Sequence, residues 1–229
     1  MSVGLNKAQS EAVNYVDGPC LVLAGAGSGK TRVITQKIAH LIQNKGVSAK
    51  NIAAVTFTNK AAKEMEERAA KLLHGNEGKG LLVCTFHSLG IRILREEHKH
   101  AGLKARFSIL DATDTYGLVQ QLYSTTDKQL IRKAQSVISL WKNGLVDPDA
   151  ALAQATTEEE GDIARLYKSY EATLAAYQAV DFDDLILKPT RLLASNEEVR
   201  SRWQNRLRYL LVRFVALDCR ATRHVHCGG

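Results

Sequence analysis

Residues 20–34 read CLVLAGAGSGKTRVI, a short apolar run, then glycines at 25, 27 and 29, then a lysine, a threonine and an amphipathic continuation. Glycines at this spacing let successive backbone N–H groups curl around one anion, and a helix start adds partial positive charge. The segment Ala24-Gly25-Ala26-Gly27-Ser28-Gly29-Lys30-Thr31 fits the phosphate-binding loop pattern, with alanine where the first glycine usually stands. Lys30 would reach the β- and γ-phosphates of a nucleotide, and the Thr31 hydroxyl would coordinate its Mg²⁺. Arg32, in the same first helical turn, joins the candidate nucleotide contacts. The alternative is a glycine-rich turn beside a solvated lysine, which leaves the placement between a strand pattern and a helix pattern unexplained. A dinucleotide fold is disfavoured, because G-x-G-x-G is not G-x-G-x-x-G.

Around this loop the chain alternates. Leu21 to Ala24, Ile52 to Phe57 and Leu81 to Thr85 are short, branched and apolar, and read as strands. Between them Ile34, Ile38, Leu41 and Ile42, and then Ala61, Met65, Ala69 and Leu72, recur at helical spacing. Such alternation predicts βαβ crossovers and a parallel sheet. From about 88 to 206 the strand signal vanishes and helical periodicities take over, separated by turn signals at Asn143-Gly144, Asp147-Pro148 and Glu160-Gly161. A strand pattern returns at Tyr209 to Val212. The predicted organisation is therefore an α/β domain over 1–90 and 207–212, carrying a mainly helical insertion over 91–206.

Composition narrows the partners. The 229 residues carry a formal net charge of +7, which points weakly toward an anionic partner, with nucleic acid foremost. Four cysteines form no CxxC pair, and Cys20 and Cys84 sit in apolar runs, so buried, reduced thiols of a cytoplasmic protein are expected. No apolar run approaches the ~20 residues that span a bilayer, and no membrane partner is expected. The start, MSVGLNKAQSEAV, lacks the apolar core of a signal peptide and reads as a mature N-terminus.

Four further segments stand in order around the loop: Leu5-Asn6-Lys7-Ala8-Gln9 ahead of it, Thr56-Phe57-Thr58-Asn59-Lys60-Ala61-Ala62-Lys63-Glu64-Met65 after the second strand, Thr85-Phe86-His87-Ser88 after the third, and Asp181-Phe182-Asp183-Asp184-Leu185 at the end of the helical region. With the loop, they resemble the UvrD/Rep family of superfamily 1 DNA helicases, continuously from about Leu5 to Val212. The resemblance implies a RecA-like P-loop NTPase sheet domain with a helical inserted subdomain. It implies an ATP-dependent 3′–5′ DNA helicase of replication or repair, using ATP and Mg²⁺ on single-stranded DNA, in the bacterial cytoplasm at the nucleoid. Replication or repair proteins are possible partners of the full-length family members.

The same resemblance assigns roles. Gln9 would read the adenine edge, a task suited to an amide that both donates and accepts; a surface glutamine is the bland alternative. Thr56, Phe57, Thr58, Asn59 and Lys60 would contact single-stranded DNA, with Phe57 stacking on a base. The competing reading places Phe57 in the core and leaves Thr58 and Asn59 as helix caps. His87 and Ser88 would touch the DNA backbone, against a packed, satisfied histidine as the alternative. The basic residues that follow, Arg92, Arg95, Lys99, Lys104 and Arg106, read as a solvated face before a DNA track. The carboxylates of DFDDLI read as architecture rather than a metal site, with Asp181 placed to cap a helix.

One expected element is missing. In the family the strand matching Tyr209 to Val212 leads into Asp-Glu, which hold Mg²⁺ and act on the attacking water. Arg213 and Phe214 occupy those positions here, so no catalytic residue is intact and the chain by itself is expected not to hydrolyse ATP or unwind DNA. A register slip that recruits Asp218 is the weaker alternative, since Cys219 follows it. The chain also ends before a second RecA-like domain, and is expected to be an N-terminal fragment. A non-enzymatic nucleotide- and nucleic-acid-binding module is the other function considered. The tail from 213 to 229 departs from the family within one residue, which favours a frameshift or foreign terminus. Its Cys219, His224, His226 and Cys227 have poor spacing for structural zinc.

Overall fold

The computed structural model describes residues 4–25 and 27–213, and these divide into two compact units. One comprises the chain up to Thr85 together with the residues from Gln204 onward. The other is Phe86–Trp203.

In the first unit, helix α1 (Lys7–Asn14) is followed by α2 (Lys30–Ala39), which runs into a π-helical turn over His40–Asn44. Strand β1 (Ile52–Thr56), helix α3 (Asn59–Ala70) and strand β2 (Leu82–Thr85) come next. Strand β5 (Tyr209–Val212; β3 and β4 lie in the other unit) closes a parallel sheet of order β2-β1-β5. Ala54 is in register with Val83 on one side and Leu211 on the other. Every residue of the central strand β1 is buried, as expected of a parallel strand covered on both faces. Ile38 and Leu41 from the α2 segment and Met65 and Ala69 from α3 pack with Ile52 and Ala54, so the predicted helical faces do meet the sheet.

The first predicted strand does not form. Residues 19–25 are irregular, and Leu21 and Leu23 are 60% and 83% exposed. Among the described residues no strand runs beside them. A strand is held by its ladder, and an apolar pattern without a neighbour supplies none. For the same reason Cys20 is exposed rather than buried, and Cys84 is only half-buried.

The second unit is helical. It contains α4 (Phe86–Glu96), α5 (Ala112–Tyr123), α6 (Lys128–Asn143), α7 (Pro148–Gln154), α8 (Glu158–Tyr177) and α9 (Asp184–Ser195), with the greater part of α10 (Glu197–Arg206). Asp111, Asp127, Asp147 and Thr157 cap α5 to α8 by accepting hydrogen bonds from first-turn N–H groups. Two short strands, β3 (Ser108–Ile109) and β4 (Ala179–Val180), pair in parallel; at two residues each they are too short to leave a period in the sequence.

The turn expected at Glu160-Gly161 is also corrected. Both residues lie inside α8, whose Thr157 cap and Glu158, Glu159 and Glu160 first turn suit the positive end of a helix. Tyr167, Tyr170 and Leu174 of α8 centre a core with Leu118, Ile131 and Ile138. Gly90 marks the closest helix approach: a Cβ there would lie 1.7 Å from the Leu185 carbonyl oxygen, so only glycine lets α4 and α9 meet as they do.

Candidate functional site

The phosphate-loop residues sit where α1 meets the start of α2. Asn6 caps α1 by accepting from the Gln9 N–H at 2.9 Å, and the Gln9 Oε1 accepts from the Asn6 N–H at 3.0 Å. This reciprocal cap aims the other end of the Gln9 amide at the loop, where Nε2 donates to the Ser28 carbonyl at 2.9 Å. Gln9 is therefore half-buried and engaged at both ends of its amide. The Ser28 hydroxyl donates to the Gly25 carbonyl at 2.6 Å, tightening the loop on itself.

Gly27 and Gly29 have φ of 74° and 83°, a left-handed backbone that side chains disfavour. Gly29 then starts α2, and a Cβ on it would also crowd the Gln9 amide at 3.1 Å. Lys30 folds back over the loop, its ammonium donating to the carbonyls of Ala24 at 3.0 Å and Gly25 at 2.7 Å. Thr31 is buried in the first turn of α2, and the guanidinium of the exposed Arg32 lies against Gly4. Ala26 lies outside the described residues. Lys37, near the end of α2, ties the helix to α1 by donating to the Ala12 carbonyl at 2.9 Å and to that of Tyr15. Burial lowers its pKa from the ordinary lysine value.

The TFTNK segment divides at the strand end. Thr56 is the last residue of β1 and only 3% exposed, so its side chain is not available as a nucleic-acid contact; the strand is covered on both faces up to that point. Phe57 is 55% exposed, which removes the core reading, and Thr58, Asn59 and Lys60 are exposed beside it. Thr58 caps α3, its hydroxyl accepting from the Ala61 N–H at 3.2 Å, so that reading holds for this residue. Asn59 is the first residue of the helix.

At the end of β5, the N–H of Arg213 donates to the Val55 carbonyl at 2.9 Å and continues the ladder by one bond. The side chain is half-buried, and its Nε and Nη1 lie out of solvent with no hydrogen-bond acceptor among the described residues. Phe214 and the cysteine and histidine cluster of the tail lie outside the described residues.

In the helical unit, His87 and Ser88 are exposed in the first turn of α4. The DFDDL segment connects β4 to α9. Asp181 and Asp184 turn inward and cap each other, the Asp184 N–H donating to Asp181 Oδ1 at 2.8 Å and the Asp181 N–H to Asp184 Oδ2 at 3.3 Å. With Glu171 they form a group of carboxylates that could in principle hold a metal ion.

An ammonium already fills that position. Lys142 Nζ lies 2.7 Å from Glu171, 2.7 Å from Asp181 and 3.0 Å from Asp184, with its side chain fully buried. The Tyr170 hydroxyl donates to Asp181 at 2.9 Å. Burial alone would lower the Lys142 pKa; Asp184, Asp181 and Glu171 outweigh it and hold the ammonium above its ordinary value. Burial pushes the Asp184 carboxyl up to about 6, against the opposing pull of Lys142. The segment is an ion-pair lock within the helical unit.

Lys142 belongs to none of the sequence motifs, although the sequence holds a signal for it. It continues the stripe Ile131, Ala134, Ile138 along the buried face of α6. A lysine at a core position needs buried carboxylates, and DFDDL offers them.

A protein-family model described as the UvrD/REP helicase N-terminal domain matches residues 5–213. The chain is 54% identical to the ATP-dependent DNA helicase Rep of Escherichia coli (strain K12), over 91% of its own length and 31% of the relative's. It is 53% identical to Rep of Salmonella typhimurium over the same shares, and 40% identical to the ATP-dependent DNA helicase PcrA of Staphylococcus aureus over 91% of this chain and 29% of that one. The chain thus spans about a third of the length of these relatives. No helix among the described residues is long and apolar enough to cross a membrane. With helices packed on a parallel sheet and a family match over nearly its whole length, this chain belongs to the UvrD/REP helicase N-terminal domain family.

Proposed function

We propose that this chain carries the ATP- and single-stranded-DNA-binding elements of an ATP-dependent 3′–5′ DNA helicase, built on a RecA-like P-loop domain, and acts in DNA replication or repair. The observation that carries the reading is the bond from Gln9 to the Ser28 carbonyl, which joins the candidate adenine reader to the candidate phosphate loop. The loop suits a polyphosphate. Its glycines accept left-handed turns, α2 begins at its end, and among the described residues the Lys30 ammonium is held by loop carbonyls that an anion can replace. On this reading the loop N–H groups and Lys30 hold the phosphates, and Gln9 exchanges its present partners for the adenine edge. Phe57 offers a face for a base, with Asn59 and Lys60 beside it at the start of α3.

The residues fit Mg²⁺ less well. Mg²⁺ is usually held by one or two carboxylates together with substrate phosphates. Thr31 supplies a hydroxyl, but the end of β5 carries Arg213, a cation, where the family pattern has a carboxylate. A guanidinium repels the metal and supplies it no ligand, and the phenylalanine that follows at 214 cannot orient water for attack. The second reading follows from that residue: the chain binds nucleotide and DNA without turning ATP over.

Phosphate release from ATP, measured with and without single-stranded DNA, separates the two. The expected result is no DNA-stimulated release above background. Robust release that disappears in Lys30→Ala would show that Arg213 does not block turnover and that the chain is a working hydrolase.

A further inference from the structure

The side chain at the end of β5 carries a charge with no partner among the described residues. The Arg213 N–H extends the ladder by donating to the Val55 carbonyl at 2.9 Å, so the backbone beneath that side chain is fixed against the sheet. Its Nε and Nη1 are out of solvent and meet no acceptor among the described residues. A cation withdrawn from water without a partner is costly, and an anion that binds it recovers the cost. The sheet sets where that anion would sit. Strands β2, β1 and β5 run parallel, so Thr85, Thr56 and Val212 end on one edge and Arg213 stands just beyond it. Helix α2 runs back the other way, since Ile38 near its end and Leu41 just past it pack with Ile52, the first residue of β1. Ten residues of helix and five of strand each span about 15 Å. Lys30 and the glycine loop, at the start of α2, therefore lie toward the edge that holds Arg213, where open parallel sheets bind their ligands.

We propose that Arg213 neutralises the phosphates of a bound nucleotide in place of a metal ion, so that this chain binds ATP without Mg²⁺. The misfit with the metal is what the proposal stands on. A divalent ion at this edge needs a carboxylate, and the residue present is a cation that lacks an anion. A guanidinium donates several N–H bonds in one plane, a pattern that matches phosphate oxygens, and each such bond is charge-assisted. Together with Lys30, the loop N–H groups and the start of α2, it supplies positive charge from two sides of one polyphosphate. A metal entering the same place would meet the guanidinium first. The proposal rests on the nucleotide-binding reading above and concerns how that site is neutralised; no step of hydrolysis follows from it.

The test is a fluorescence titration of ATP labelled on its ribose with N-methylanthraniloyl, using the full 229-residue chain, once in excess EDTA and once in excess Mg²⁺. Wild-type affinity in EDTA should equal or exceed that in Mg²⁺. Arg213→Ala should weaken binding in EDTA about 10-fold or more, the loss of a charge-assisted contact. Arg213→Asp should reverse the order of the two solutions and bind more tightly with Mg²⁺ than without. Thermal melts without nucleotide show whether the variants fold, and the wild-type comparison needs no variant. A wild-type affinity that falls several-fold when EDTA replaces Mg²⁺ overturns the proposal and leaves the nucleotide reading standing. Equal affinity of wild type and folded Arg213→Ala in EDTA does the same. If the wild-type chain binds the labelled ATP in neither solution, the nucleotide reading fails and takes the proposal with it.

Discussion

Two lysines, one in each unit, show opposite ways of placing a positive charge. Lys30 is half-buried on a loop, and its ammonium is held by two backbone carbonyls of that loop. Lys142 is fully buried and contacts three carboxylates, with the Tyr170 ring 5.5 Å away. The first has neutral partners that an anion can displace at small cost. The second is saturated by charges, and nothing outside the protein can compete for it. A lysine kept for a ligand and a lysine kept for the fold are distinguished by what would be left behind on removal: two loop carbonyls in one case, three clustered carboxylates in the other.

The largest expected effect comes from breaking the saturated side. Lys142→Met should destabilise the helical unit by about 3–5 kcal/mol, because it leaves Glu171, Asp181 and Asp184 facing one another with only the more distant Lys188, 3.7 Å from Glu171 and from Asp184, as a counter-charge. Urea denaturation followed by circular dichroism measures this, and a change under about 1 kcal/mol would mean that the ion pairs do not lock the fold. A smaller effect should appear in pH dependence. Asp184 has a folded pKa of about 6, above the ordinary 3.8, so between about pH 4 and 6 the folded chain binds a proton that the unfolded chain releases. The contribution of this group to stability therefore falls as pH rises through that window. Asp184→Asn should flatten that fall, seen as the difference between wild-type and variant melts across the range. The smallest effect lies on the other unit, where Thr58→Ala removes the α3 cap and should cost about 1 kcal/mol.

The same contrast explains which features are legible in the residues alone. The phosphate loop is legible because its glycines and lysine are closely spaced and their chemistry is local. Strands β1, β2 and β5 are legible because branched apolar runs between helices have few other uses. Leu21 to Ala24 has the same pattern and is not a strand among the described residues, because pairing is a property of a neighbour that the run itself does not encode. Thr56 shares the motif of the candidate DNA contacts, yet the burial of β1 extends to it, and only the residues beyond the strand end emerge. Lys142 escapes a reading by motif for a related reason. Its partner Asp181 is 39 residues away, and only the apolar stripe on α6 hints that a lysine stands inside. The inward turn of Asp181 and Asp184, and with it the outward turn of Phe182, depends on that distant lysine.

The contrast between the two lysines can be tested in one thermal-melt experiment, with wild type and Lys30→Ala each heated with and without an ATP analogue. Without nucleotide the two proteins should melt at equal temperatures, since among the described residues the removed ammonium held loop carbonyls. Nucleotide should raise the melting temperature of wild type and leave that of Lys30→Ala unchanged, because binding to the folded state alone produces the rise. A rise of the same size in Lys30→Ala would contradict the assignment of Lys30 as the phosphate-binding charge.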